Sequence, residues 1–130
     1  MSDLYGLCLL SALGGGVDAI ASGAASREAL PYFNCMDRRG GHPSVAADCF
    51  GDTLAQSSTS WKEVLDCAQN EAQSAAVQAA GRDATPAEHT SVPWVVLNGE
   101  VIPDPDPDSN LLARICKAYA GPLPKPCWDL

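Results

Sequence analysis

Apolar residues recur at helical spacing along most of the chain, and one short segment reads instead as strand. Leu4, Leu7 and Cys8, with Ser11 beside them, share a face, so residues 3–13 are predicted to form a helix stopped by Gly14-Gly15-Gly16. Residues 17–25 are small and apolar and suit a turn or two of weak helix. Ser26 is placed to cap a third element over 27–38, with Pro31 inside it or kinking it and Gly40-Gly41 ending it. Pro43 fits the first turn of a further helix running through Cys49. Residues 56–60 form a Ser/Thr-rich loop.

The strongest helical signal comes after that loop. Ser60 and Glu63 stand at capping-box spacing. Trp61, Val64, Leu65, Ala68, Ala72, Ala75, Ala76 and Ala79 then fall on one stripe, with Lys62, Asp66, Gln69, Asn70 and Gln73 facing away. The pattern predicts one continuous helix ended by Gly81. Residues 93–97 (Pro-Trp-Val-Val-Leu) are the strong strand. Asn98-Gly99 matches a type I′ turn, whose two central residues need positive φ, so Glu100-Val101-Ile102 is the expected return strand. Residues 103–108 alternate Pro and Asp and read as an extended, solvated connector that supplies an N-cap and negative charge to the next helix. A calcium site on its three carboxylates is the alternative. Leu111, Leu112, Ile115 and Tyr119 are expected as the buried stripe of the last helix. Arg114 and Lys117 face outward, and Gly121 and a Pro-rich tail complete the chain.

The strand count poses a problem. A lone two-stranded hairpin is marginal in water. Val95 and Leu97 on one side, with Trp94 and Val96 on the other, imply burial on both faces, as in the middle of a larger sheet. Either further strands hide in the first half or another chain supplies them, and the second reading is favoured. At 130 residues the chain is expected to be one domain. Within it, residues 1–60 form a helical part, 61–121 a helix–hairpin–helix part and 122–130 the tail.

Charge excludes one class of partner. Eight Lys+Arg stand against 16 Asp+Glu, a net charge of −8, and no basic cluster exists to neutralise phosphates, so nucleic acid is not an expected partner. No stretch approaches the roughly 18 apolar residues of a membrane span. The apolar run 4–13 invites a signal-peptide reading, but the head carries Asp3 and no basic residue, so it is read as part of the fold. Asp129 spoils a prenylation box at the end of the chain, and no Asn-x-Ser/Thr acceptor occurs.

Six cysteines, at 8, 35, 49, 67, 116 and 127, suggest an oxidising compartment and up to three structural disulfides. Fifteen connectivities are possible. The closest pairs along the chain are Cys116/Cys127 and Cys35/Cys49. No C-x-x-C or C-x-C occurs, and His42 and His89 stand in no ligand spacing. Neither a zinc site nor a contiguous redox dithiol is therefore expected. No cofactor is implied.

The run His89-Thr90-Ser91-Val92-Pro93-Trp94-Val95-Val96-Leu97-Asn98-Gly99 resembles a stretch of the gamma-interferon-inducible lysosomal thiol reductase family, H-x-x-V-P-W-V-x-V-N-G. The likeness continues through Leu111-Leu112 and Cys116 to Pro126-Cys127. Asp66-Cys67-Ala68 resembles the family's D/E-C-A, and Cys8, Cys35 and Cys49 fall where family cysteines are expected. It is tight over 89–119 and loose before residue 60. The resemblance implies a thioredoxin-like fold with a helical insertion, reduction of protein disulfides in acidic lysosomal compartments, and a cis-proline at Pro93. That proline sets Val92 against the redox centre, with Trp94 and His89 flanking it. The family's C-x-x-C on its first β-α unit and its C-Q-H-G have no counterpart here. The expectation is therefore a partial, helix-rich α/β thioredoxin-like domain, stapled by disulfides and beginning after the catalytic motif. It would act as a thiol–disulfide oxidoreductase relative without its own dithiol. The alternative is a non-catalytic accessory or interaction module docked on a protein partner. Compartment is inferred from cysteines and family alone: a lysosomal or secretory lumen, or another oxidising one.

Overall fold

The computed structural model describes residues 2–102 and 110–130, and the chain divides into two units, Met1–Pro86 and Ala87–Leu130. The first is built on helix α1 (Ser2–Gly14), around which α2 (Asp18–Ser22), α3 (Ser26–Arg38), α5 (Trp61–Gln69) and α6 (Glu71–Ala84) pack, with α4 (Ala46–Leu54) against α3 and α5. α1 takes the centre because its apolar residues surround it. Cys8 and Leu9 are buried, and Leu4, Tyr5, Leu7, Leu10 and Leu13 pack against the same core. Tyr32, Met36, Phe50, Leu54, Val64 and Val77 complete that core. The Trp61 ring lies between Tyr5 and Phe50, with centroids at 5.3 and 5.7 Å.

Local signals place α1 and α3 within a residue of their predicted limits, while α2 ends at Ser22 rather than residue 25 and α4 runs on to Leu54. Ser26, expected as a cap, instead occupies the first turn of α3, and no side chain caps that helix. Pro31 sits inside α3 on its exposed side. Pro43 opens a 3-10 turn, Pro43–Val45, that leads into α4.

The long helix predicted from residue 61 is two helices. Asn70, in extended conformation, ends α5 by donating its N–H to the Asp66 carbonyl, and starts α6 by accepting from the Gln73 N–H through its side chain at 2.9 Å. One residue thus satisfies orphan backbone groups on both sides of a break. The break shifts the phase of the second helix relative to the first. Val64 and Cys67 are buried in α5, but in α6 the buried residue is Val77, while Ala72, Ala75 and Ala76 face solvent. Gly81, expected to end the helix, lies within α6. A Cβ there would stand 3.1 Å from a Leu7 methyl, so its smallness serves the approach of α1. α5 starts in the predicted capping box: Ser60 Oγ accepts from the Glu63 N–H, and Glu63 accepts from the Ser60 N–H at 2.7 Å.

The pairing among the cysteines is Cys8–Cys67, Cys35–Cys49 and Cys116–Cys127. The first ties α1 to α5 across 59 residues and the second ties α3 to α4 across 14. On loop-closure entropy alone such links contribute about 4 and about 3 kcal/mol, respectively, by restricting the unfolded chain.

In the second unit, β1 (Val95–Leu97) and β2 (Glu100–Ile102) form the predicted antiparallel hairpin, with Val95 opposite Ile102. Asn98 and Gly99 have φ of 51° and 84°, as the type I′ turn demands. α7 (Leu111–Ala118) comes next, then a 3-10 turn, Lys125–Cys127, joined back to α7 by Cys116–Cys127. The acidic Pro/Asp connector, and with it the calcium alternative, lies outside the described residues.

Burial in this unit departs from the sequence pattern. Among the described residues only Ile102 and Cys127 are buried. Leu112, Ile115 and Tyr119, expected as a buried stripe, are 45%, 42% and 52% exposed, and Val96 is 47% exposed rather than enclosed on both sides of the strand. Periodicity states which side chains share a face. It does not state what covers that face, and two three-residue strands with one eight-residue helix offer little cover.

Two substitutions test the packing of the helical unit. The Tyr32 hydroxyl is buried without a hydrogen-bond partner, and burial, with Tyr5 adding to it, pushes its pKa up to about 12. Tyr32→Phe should therefore stabilise the unit, by about 1 kcal/mol in urea unfolding, since it removes an unsatisfied polar group. A folded pKa above the unfolded value of about 10 gives stability that is complete below pH 10 and fades as pH rises toward 12. The Phe variant should lose that alkaline limb. Ser60→Ala, which opens the capping box, should cost about 1 kcal/mol in the same assay.

Candidate functional site

The residues expected at a site, His89, Val92, Pro93 and Trp94, all precede β1 in the second unit. Trp94 and His89 come together: their rings meet edge to face at 5.5 Å between centroids, and both are half-buried. The Trp94 Nε1–H is buried and has no partner among the described residues, an unusual state for an indole N–H. The Val92–Pro93 peptide bond is cis. Val92 is 82% exposed and Pro93 is exposed beside it, so this corner faces outward immediately before the strand begins.

The six cysteines, by contrast, form three separate disulfides, and no free thiol is found. The sequence leaves the pairing open. Two of the three bonds join the cysteines nearest along the chain, while Cys8–Cys67, with 59 residues between, has no local signal at all. Among the described residues no three His, Cys, Asp or Glu side chains converge as metal ligands.

None of four clefts found among the described residues of the helical unit is lined by His89, Val92, Pro93 or Trp94. One, of about 420 Å3, has the Cys8–Cys67 disulfide in its wall together with Glu63 and Asp66. The Ser60 N–H, and then the Thr59 and Ser60 hydroxyls, hold the Glu63 carboxyl below its usual range. Glu63 thus places a carboxylate, favoured in its charged form, in the wall that also holds that disulfide. Asp66 in the same wall is paired with Lys62, so Glu63 is the carboxylate there without a cationic partner among the described residues. A second cleft, of about 530 Å3, is lined by Arg27, Arg38 and Cys35, with Arg39 paired to Asp52 at 2.6 Å.

The chain is 28% identical over 124 residues to the gamma-interferon-inducible lysosomal thiol reductase of Carassius auratus, an alignment that spans 92% of the chain and 44% of the reductase. The chain is a distant relative of that reductase. It spans less than half of that protein's length. No family model matches the chain, and no solved structure does. The relationship agrees with the resemblance carried by residues 89–119 and the cysteines, and the three disulfides fit an oxidising compartment. Among the described residues no helix is long and apolar enough to cross a membrane.

The exposure of Val96 gives a direct check. Val96→Lys in the isolated chain should change the unfolding free energy by less than about 0.5 kcal/mol, as a solvent-facing position allows. A loss of about 2 kcal/mol or more would show that the strand is enclosed.

Proposed function

We propose that this chain is a thioredoxin-like domain of the thiol–disulfide oxidoreductase type, kin to the lysosomal thiol reductases and lacking a catalytic dithiol within this sequence. The observation that carries the reading is the similarity to a thiol reductase along 92% of the chain. Its Val92–Pro93 corner, flanked by His89 and Trp94, is the part that faces a substrate peptide. Support for that role comes from its outward position at the start of β1 and from the resemblance of residues 89–99 to the family stretch. The complete reaction is thiol–disulfide exchange through a mixed disulfide. Here no C-x-x-C is present to start it, and all six cysteines are engaged in disulfides that join different elements. The compartment on this reading is the lysosomal or secretory lumen.

The exposed apolar surface of the second unit favours a second reading, an accessory module held in a larger assembly. Val92, Trp128 and Leu130 are 82%, 65% and 63% exposed, an unusual density of large apolar groups for a segment of this size. Light scattering coupled to size-exclusion chromatography separates the two. A monomer that stays monomeric at high concentration argues against obligate docking.

The enzymatic reading is tested by insulin reduction with dithiothreitol as donor. The isolated chain should not raise the rate above that of dithiothreitol alone. Turnover that disappears when one cysteine is replaced would overturn the claim that the chain lacks a working dithiol.

A further inference from the structure

The three disulfides differ in what surrounds them, and that difference has a chemical consequence. Cys8–Cys67 sits in the core between α1 and α5, 1% and 9% exposed, beside the Glu63 and Asp66 carboxylates. Cys35–Cys49 joins α3 to α4; Cys49 is completely buried and both helices carry core residues. Cys127 is as buried as Cys67, at 9% exposure, but the helix that carries its partner Cys116 has no such support. No residue of α7 is buried, its N-terminal Asn110 is left-handed and makes no side-chain cap, and its eight residues fall short of the roughly 12–15 that an isolated helix needs. What returns the tail to α7 is the disulfide itself; the Trp128 Nε1–H, donating to the Leu123 carbonyl at 2.8 Å, only folds the tail on itself. The local charge also differs from that beside Cys8–Cys67, though not from that of Cys35–Cys49, whose cleft carries arginines. Lys117 is next to Cys116, Arg114 lies two residues before it, and Lys125 lies two residues before Cys127. Cations draw in an attacking thiolate and stabilise the thiolate that leaves.

We propose that Cys116–Cys127 is a thiol-exchange site, the first of the three bonds to be opened by a small monothiol, and that its opening melts α7. A thiolate RS⁻ attacks one sulfur, forms a mixed disulfide and expels the other cysteine as thiolate, which takes a proton. A second RS⁻ then attacks the mixed disulfide at the R–S sulfur, releasing RSSR and leaving two cysteine thiols. The sum is two RSH oxidised and one protein disulfide reduced. Once opened, the bond no longer recloses readily, because the helix that aligned its two sulfurs has unwound. This inference does not rest on the reductase reading; it needs only the unequal support of the three bonds.

The test uses the native oxidised chain and graded concentrations of 2-mercaptoethanol, with acid quench, alkylation and peptide mapping at each. Cys116 and Cys127 should reach half-labelling at a thiol concentration at least about tenfold below that needed for the other four. Simultaneous opening, or earlier opening of Cys35–Cys49 through its arginine-lined cleft, would overturn the proposal. The second claim is read by amide exchange in the double variant Cys116→Ser/Cys127→Ser. Residues 111–118 should exchange faster than in the oxidised chain while residues 61–84 keep their protection. Equal exchange over 111–118 in the two proteins would overturn the melting of α7.

Discussion

The bond between Cys8 and Cys67 is the constraint on which the helical unit depends. α1 carries apolar side chains on all sides and can be satisfied only at the centre of other helices, yet the helix that flanks it most closely, α5, is tied to it across a sequence separation of 59 residues. The disulfide removes the cost of finding that partner from the unfolded ensemble, and Leu9 and Val64, both fully buried, fill the space beside it. Around this joint the remaining helices are short and individually weak. α3 and α4 repeat the device on a smaller scale through Cys35–Cys49. A helical unit of this length, rich in alanine and glycine, has little large apolar surface to bury, and cross-links make up the difference.

The second unit shows what happens when cross-linking is present and a core is not. The hairpin forms because its turn residues demand it, and α7 is held by its disulfide to the tail, but among the described residues two buried side chains are all that these elements share out between them. Large apolar groups remain on the surface, on both the strand and the helix. The matched region is less than half of the relative in Carassius auratus. The outward-facing Val92–Pro93 corner belongs to that incompletely covered surface, while the Trp94 N–H close to it in sequence is buried and has no partner among the described residues.

Much is legible in the sequence where the determining physics is local. The turn chemistry at residues 98–99, the Ser60–Glu63 box and the glycine stop after α1 each act within a few residues, and each is found in the structure. The helix break at Asn70 is not legible, because asparagine is tolerated in a helix and only its simultaneous use as an end for α5 and a start for α6 makes the interruption favourable. Gly81 is ambiguous for a related reason: a glycine that stops a helix and one that lets a neighbouring Leu7 approach look identical in one dimension.

The sequence by itself determined the helix-rich class, the hairpin and its register, the six cysteines, and a distant kinship to a thiol reductase. All of these come from short-range conformational preference or from residue identity. Tertiary structure alone decided the Cys8–Cys67 pairing, the phase of α6, the meeting of His89 with Trp94, and the exposure of the α7 face. Each of those depends on which distant surfaces come within a few ångströms. A periodic pattern marks a face as apolar, but whether that face is covered is a property of the neighbours that the fold brings to it.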